Sequence, residues 1–177
     1  ACRLPVPKGF HDGELRLLID ELVLPLAHRW QPAAVVLTCG ADALAGDPLS
    51  SMNLSNTALW SVATRLADCA PAAVVLGGGG YNPWTLTRYW TGLWAMLSGR
   101  TIPAMLPAAA QGILRALCCD LIDDEEVQSQ WLTTLADAPT DGDVRDDTIR
   151  LLAAMRPLLV GEVWRSHECK QVRTVHQ

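Results

Sequence analysis

Two carboxylates and a phenol stand where a ligand could meet them. Asp42 and Asp47 lie in the stretch CGADALAGDPL, and Tyr81 follows the four consecutive glycines Gly77 to Gly80 in LGGGGYNPWT. A carboxylate can bind a cation or exchange a proton, and a tyrosine hydroxyl can donate a hydrogen bond to an oxygen that gains negative charge. Glycines forgo side-chain packing and lose the most backbone freedom on folding, so a run of them implies that something approaches the chain closely. A ligand lying flat against bare backbone, with Tyr81 projecting a hydroxyl at it, accounts for both features.

Plainer roles are open to each residue. Asp42 could bond backbone amides in a turn, and Asp47, one residue before Pro48, reads more readily as structural. Glycines ahead of a helix could instead cradle a phosphate. However, GGGGY matches neither GxGxxG nor the phosphate-binding GxxxxGK pattern, which leaves the nucleotide reading weak. The histidines are His11, His28, His167 and His176, with no i, i+4 pair and no HExxH setting, so they do not assemble a metal cage.

The elements that must position Asp42 and Tyr81 follow from periodicity. AAVVLTCG (33–40) and AAVVL (72–76) are short Val-rich apolar runs, the pattern of strands buried on both faces. Between them, residues 54–69 carry Leu54, Leu59, Val62 and Leu66 on one side, an amphipathic helix. Strand, helix, strand is a βαβ unit, so the fold class is α/β with a parallel sheet and flanking helices. Ligands of such sheets bind beyond the carboxyl ends of the strands, where Asp42 and Tyr81 both emerge.

Further helices are expected from residue 12, with Asp12 as N-cap and Pro25 interrupting late, and over 84–99, where Trp90 and Trp94 read as packing residues. The acidic segment from 123 and the segment from 143 also read as helices, with acidic residues at their starts. Cys118 and Cys119 are expected inside a helical stretch as small apolar fillers, and the last dozen residues as a frayed end.

The net charge is −5 and the only lysines are Lys8 and Lys170, so the footprint of a nucleic-acid binder is absent. No apolar run reaches the roughly 20 residues of a membrane-spanning helix. The six cysteines lack a disulfide-framework spacing and any CxxC pair, which points to reduced thiols in a cytoplasmic protein.

The stretches QPAAVVLTCGADALAGDPLSSMNLS and LGGGGYNPWTLTRYWTGLWAMLSGRTIP resemble the C-terminal part of the zinc-dependent histone deacetylase superfamily, in particular bacterial acetoin-utilization deacetylases. The resemblance covers residues 4–103 and extends more loosely into the rest. It implies an arginase/deacetylase-like fold: one domain over 1–177, with a motif-bearing α/β part at 4–103 and a mainly helical tail at 104–177. By the same resemblance, Asp42 ligates a catalytic zinc, or iron in its place. Tyr81 polarises the substrate amide, and Gly79 and Leu49 line the narrow tube that admits an acyl-lysine chain. Asp47 braces the loop. The implied substrate is acetylated lysine or a small acetylated amine, and a monovalent cation is an expected companion in a complete domain.

Family members also carry a DxDxHHGDG-like stretch with an aspartate and a histidine as further zinc ligands, together with a histidine pair that moves protons. Neither motif occurs in this sequence. The resemblance therefore implies a C-terminal portion of a deacetylase domain, inactive alone, whose expected partner is the missing N-terminal part. A noncatalytic binding or assembly module is the alternative.

Overall fold

A computed structural model describes residues 3–160. Helix α1 (Asp12–Leu18) runs through a π-helical segment (Ile19–Val23) into α2 (Leu24–Trp30). Pro25 has no N–H to continue the α-helical ladder, and the wider turn just before it, closed by the Leu24 N–H on the Ile19 carbonyl, takes up the register change. The expected interruption at Pro25 is thus a bulge within a continuing helical path. His11, not Asp12, is the N-cap: its side chain accepts from the Gly13 N–H at 3.2 Å, and Glu14 completes a capping box. Asp12 is released to bond Ser55 N–H at 2.8 Å, Ser55 Oγ at 2.6 Å and Thr140 N–H at 2.9 Å, tying three distant segments together.

Strand β1 (Val35–Cys39), helix α3 (Asn56–Ala67) and strand β2 (Ala73–Gly77) form the expected βαβ unit, and the strands pair in parallel with Val35 opposite Ala73 and Cys39 opposite Gly77. Ser55 caps α3 through the Ala58 N–H. Helix α4 (Pro83–Leu97) follows β2, with Asn82 as its N-cap and Pro83 in its first turn. Leu37, Cys39 and Val75 pack on a core that contains Trp60 and Ala63 of α3 and Tyr89 and Leu93 of α4. The two helices meet closely at Gly92, and Trp60 Nε1 donates to the Tyr89 carbonyl at 2.8 Å.

The opposite face of the strands departs from the expectation of two-sided burial. Val36 is 64% exposed, Val74 51% and Leu76 47%. Their composition is that of strands covered on both sides, but α3 and α4 pack on one side only. Trp94, expected to pack, is 63% exposed, whereas Trp90 meets Tyr89 edge to face.

Beyond α4 the chain is less helical than its sequence suggests. Helices α5 (Ala108–Arg115), α6 (Ser129–Thr133) and α7 (Asp146–Met155) are separated by long irregular stretches, and α8 (Pro157–Val160) follows α7 after the single residue Arg156. The acidic segment from 123 makes only a 3-10 turn (Asp124–Glu126) before α6. Tertiary bonds replace the helical ladder there. Asn56 Nδ2 donates to the Leu135 carbonyl, the Asp137 N–H donates to Asn56 Oδ1, and buried Arg88 of α4 donates to the Thr134 carbonyl and pairs with Asp137 at 2.7 Å. Cys118 and Cys119 lie past the end of α5, outside any helix. The chain end expected to fray falls outside the described residues.

Candidate functional site

The two loops at the carboxyl ends of β1 and β2 are bonded to each other. Ala41 N–H donates to the Gly79 carbonyl at 2.7 Å, extending the strand pairing one step past Cys39 and Gly77. What approaches the glycines is the other loop. A Cβ on Gly78 would lie 2.8 Å from Gly40 N, and one on Gly80, whose φ is +142°, would lie 2.8 Å from Ala41 Cβ. A Cβ on Gly79 would lie 2.7 Å from Asp42 Cγ and closer still to Oδ2. The expectation of a ligand against bare backbone is amended accordingly: contact with Gly40 and Ala41 by itself demands glycine at 78 and 80, and the Asp42 side chain crowds 79.

Asp47 links the same two loops from the other side. Its Oδ1 accepts from the Leu49 N–H at 3.0 Å and its Oδ2 from the Tyr81 N–H at 2.7 Å, and the residue is 6% exposed. The bracing reading of Asp47 thus has its geometry, and one carboxylate brings Leu49 and Tyr81 together. Asn82 adds a second link: its Oδ1 accepts from Trp84 and Thr85 N–H, while its Nδ2 donates to the Gly46 carbonyl at 2.9 Å. Asn-Pro ahead of an apolar run is an N-terminus signal, so this position was readable from sequence. Tyr81 is itself 45% exposed and Leu49 63%, both available to a molecule arriving from outside. Cys119, which sequence reasoning did not connect with the site, donates its S–H to the Tyr81 carbonyl at 3.7 Å.

Next to these loops, burial pushes the Cys39 thiol up, with a hydrogen bond to Tyr89 partly opposing it. Burial also raises the Tyr89 phenol, reinforced by Cys39. Both groups therefore stay neutral near pH 7.

Asp42 suits a cation in its chemistry: it is partly buried at the strand end, and among the described residues no donor bonds its carboxylate. A zinc set is not complete, since among the described residues no three of His, Cys, Asp and Glu are gathered in one place. A catalytic zinc takes three protein ligands, more than the described residues bring together.

Residues 1–97 match the family described as histone deacetylase domain, more than half of the chain. The chain belongs to this family. Histone deacetylase 8 of Xenopus laevis is 31% identical over 107 residues, which cover 60% of this chain and 33% of that protein. Histone deacetylase 6 of Arabidopsis thaliana is 38% identical over 90 residues, 51% of this chain and 19% of that one. Among solved structures, a histone deacetylase homolog from Aquifex aeolicus superposes with a TM-score of 0.79 at 34% identity, over 87% of this chain and 41% of that one. A homolog complexed with SAHA gives 0.73 at 33%, with the same coverage. The small parallel sheet and its flanking helices thus have the arginase/deacetylase-like arrangement, and the chain spans less than half the length of these relatives.

Proposed function

We propose that this chain is the C-terminal portion of a zinc-dependent amide hydrolase that removes acetyl groups from acetyl-lysine or a small acetylated amine. The observation that carries the reading is the bonded pair of loops. Asp42 and Tyr81 leave neighbouring parallel strands at the same edge, held by the Ala41–Gly79 bond on one side and by Asp47 on the other.

Asp42 would hold the metal, zinc or iron, together with groups supplied from outside these residues. Bound zinc would supply Lewis acidity toward the amide carbonyl and acidify a water. The chain's own contribution is positional. Asp47 and Cys119 fix the Tyr81 backbone, so that its hydroxyl can donate to the oxygen that becomes negative in the transition state. Gly79 keeps one wall free of side chain beside Asp42, and exposed Leu49 offers an apolar rim for an aliphatic acyl-lysine stem. A monovalent cation belongs to the complete domain.

The test is metal content and deacetylation of an acetyl-lysine peptide and an acetylated polyamine. Both are measured for the chain alone and mixed with a polypeptide bearing a DxDxHHGDG-like stretch. Zinc binding and turnover are expected in the mixture. Asp42→Ala should abolish the zinc, whereas Tyr81→Phe should keep it and lower turnover by about a hundredfold or more. A metal-free mixture, or full activity in Tyr81→Phe, overturns the assignment.

A noncatalytic binding or assembly module is the second reading, favoured by the incomplete ligand set among the described residues. It requires that the partner still bind after Asp42→Ala, with no turnover under any metal.

A further inference from the structure

Cys118 and Cys119 are consecutive, they lie in an irregular segment beyond α5, and one of them touches the backbone of Tyr81. Inside a helix, neighbouring side chains diverge and cannot meet. Outside one, the backbone is free to bring two adjacent sulfurs together. Cys118 is exposed, whereas Cys119 is half-buried and donates its S–H to the Tyr81 carbonyl at 3.7 Å. The other described thiols are placed differently: Cys69 donates to the Arg65 carbonyl of its own helix, and Cys39 faces Tyr89 in the core.

We propose that Cys118 and Cys119 form a vicinal dithiol that is oxidised by peroxide to a disulfide, and that this modification releases the Tyr81 carbonyl. The Cys118 thiolate attacks one peroxide oxygen and breaks the O–O bond, giving a sulfenic acid and, from hydrogen peroxide, a hydroxide that takes up the proton lost by the Cys118 thiol and leaves as the first water. The Cys119 sulfur then attacks the sulfenic sulfur. The S–S bond forms, the S–O bond breaks, and the oxygen leaves as a second water carrying the former Cys119 thiol proton. Two thiols lose two electrons, and the peroxide gains them. That proton is the one Cys119 donates to Tyr81, so the oxidised pair has no donor for this carbonyl.

Ring closure between adjacent residues also sets the reversibility. Adjacent Cα atoms are about 3.8 Å apart across a trans peptide, less than the roughly 4.4–6.8 Å usual for a disulfide. The product is therefore strained, and a dithiol reductant removes it readily. Its effect on catalysis rests on the reading of Tyr81 as the oxyanion donor. The thiol chemistry and its effect on the backbone do not.

Trypsin leaves both residues on one peptide, 116–145, which contains no other cysteine. After equimolar hydrogen peroxide, that peptide is expected two hydrogens lighter and refractory to iodoacetamide, with recovery in dithiothreitol. Cys118→Ser and Cys119→Ser should each prevent the mass loss. Amide hydrogen exchange across 78–84 should quicken severalfold in the oxidised protein but stay unchanged by peroxide in Cys119→Ser. Both thiols remaining alkylatable after peroxide overturns the disulfide. A disulfide that leaves exchange at 78–84 unaltered overturns the link to Tyr81, while the hydrolase assignment, tested by metal content and turnover, stands or falls separately.

Discussion

The Asp47 carboxylate holds the Tyr81 amide at 2.7 Å, and this bond joins the loop after the first strand to the residue after the glycine run. A charged acceptor on a backbone donor is worth roughly 1.5–3 kcal/mol, and removing it leaves the donors of Leu49 and Tyr81 short of a partner. Asp47→Ala is expected to lower unfolding stability by about 2–3 kcal/mol in denaturant titrations. Asp47→Asn, which keeps one carbonyl oxygen, should lose less. Equal stability of all three proteins would remove Asp47 from the bracing role.

Gly79 and Asp42 cannot both keep their places if a methyl group is added between them. Gly79→Ala puts its Cβ 2.7 Å from Asp42 Cγ. The carboxylate is the group that can rotate away, so the expected loss is in metal occupancy more than in folding. In the assembled domain, zinc content should fall for Gly79→Ala while the melting temperature moves little. Gly80→Ala should do the reverse and lower the melting temperature, because φ is +142° there and Ala41 Cβ blocks the site at 2.8 Å.

The βαβ unit and the strand-end placement of Asp42 and Tyr81 could be read from local pattern, since apolar period and glycine punctuation record them directly. The strands' exposed face could not. Val36, Val74 and Leu76 have the composition of residues covered by protein, and composition does not say which chain segment covers them. The N-cap departs from its local signal for a related reason: Asp12 has the right chemistry, but Ser55 and Thr140, far along the chain, compete for its carboxylate and leave the cap to His11. The acidic segment from 123 is helical only in a 3-10 turn and in α6, and tertiary bonds from Asn56 and Arg88 hold its far end at 134–137 in an irregular path. Cys119 beside Tyr81 is a contact between residues 38 positions apart, with no local signal.

Acid stability should report on Glu14. Burial raises its carboxyl, but the Arg145 guanidinium, the Thr148 hydroxyl and the backbone N–H groups of Arg145 and His11 more than offset this, lowering it from 4.5 to about 2. The folded-state value is depressed, so the stabilisation is fully present above about 4.5 and is lost as pH falls from there through about 2. Urea midpoints should decline across that window, and the decline should be shallower in Glu14→Gln, which has no charge to lose. Parallel declines in the two proteins would show that other carboxylates govern the acid limb.

The close crossing of α3 and α4 makes the last prediction run against helix propensity. Alanine is favoured over glycine inside a helix by about 1 kcal/mol, so Gly92→Ala should stabilise α4 if only local preference mattered. A Cβ there would lie 2.5 Å from Trp60 Cε2, and Trp60 cannot retreat, because its ring is buried and its Nε1 is bonded to the Tyr89 carbonyl. Overpacking of this kind costs about 1–3 kcal/mol. Gly92→Ala is therefore expected to be net destabilising in thermal or urea unfolding. Combining it with Trp60→Leu, which opens the space, should cost less than the two single changes added together. Strict additivity in that cycle would mean that the two residues do not share the contact.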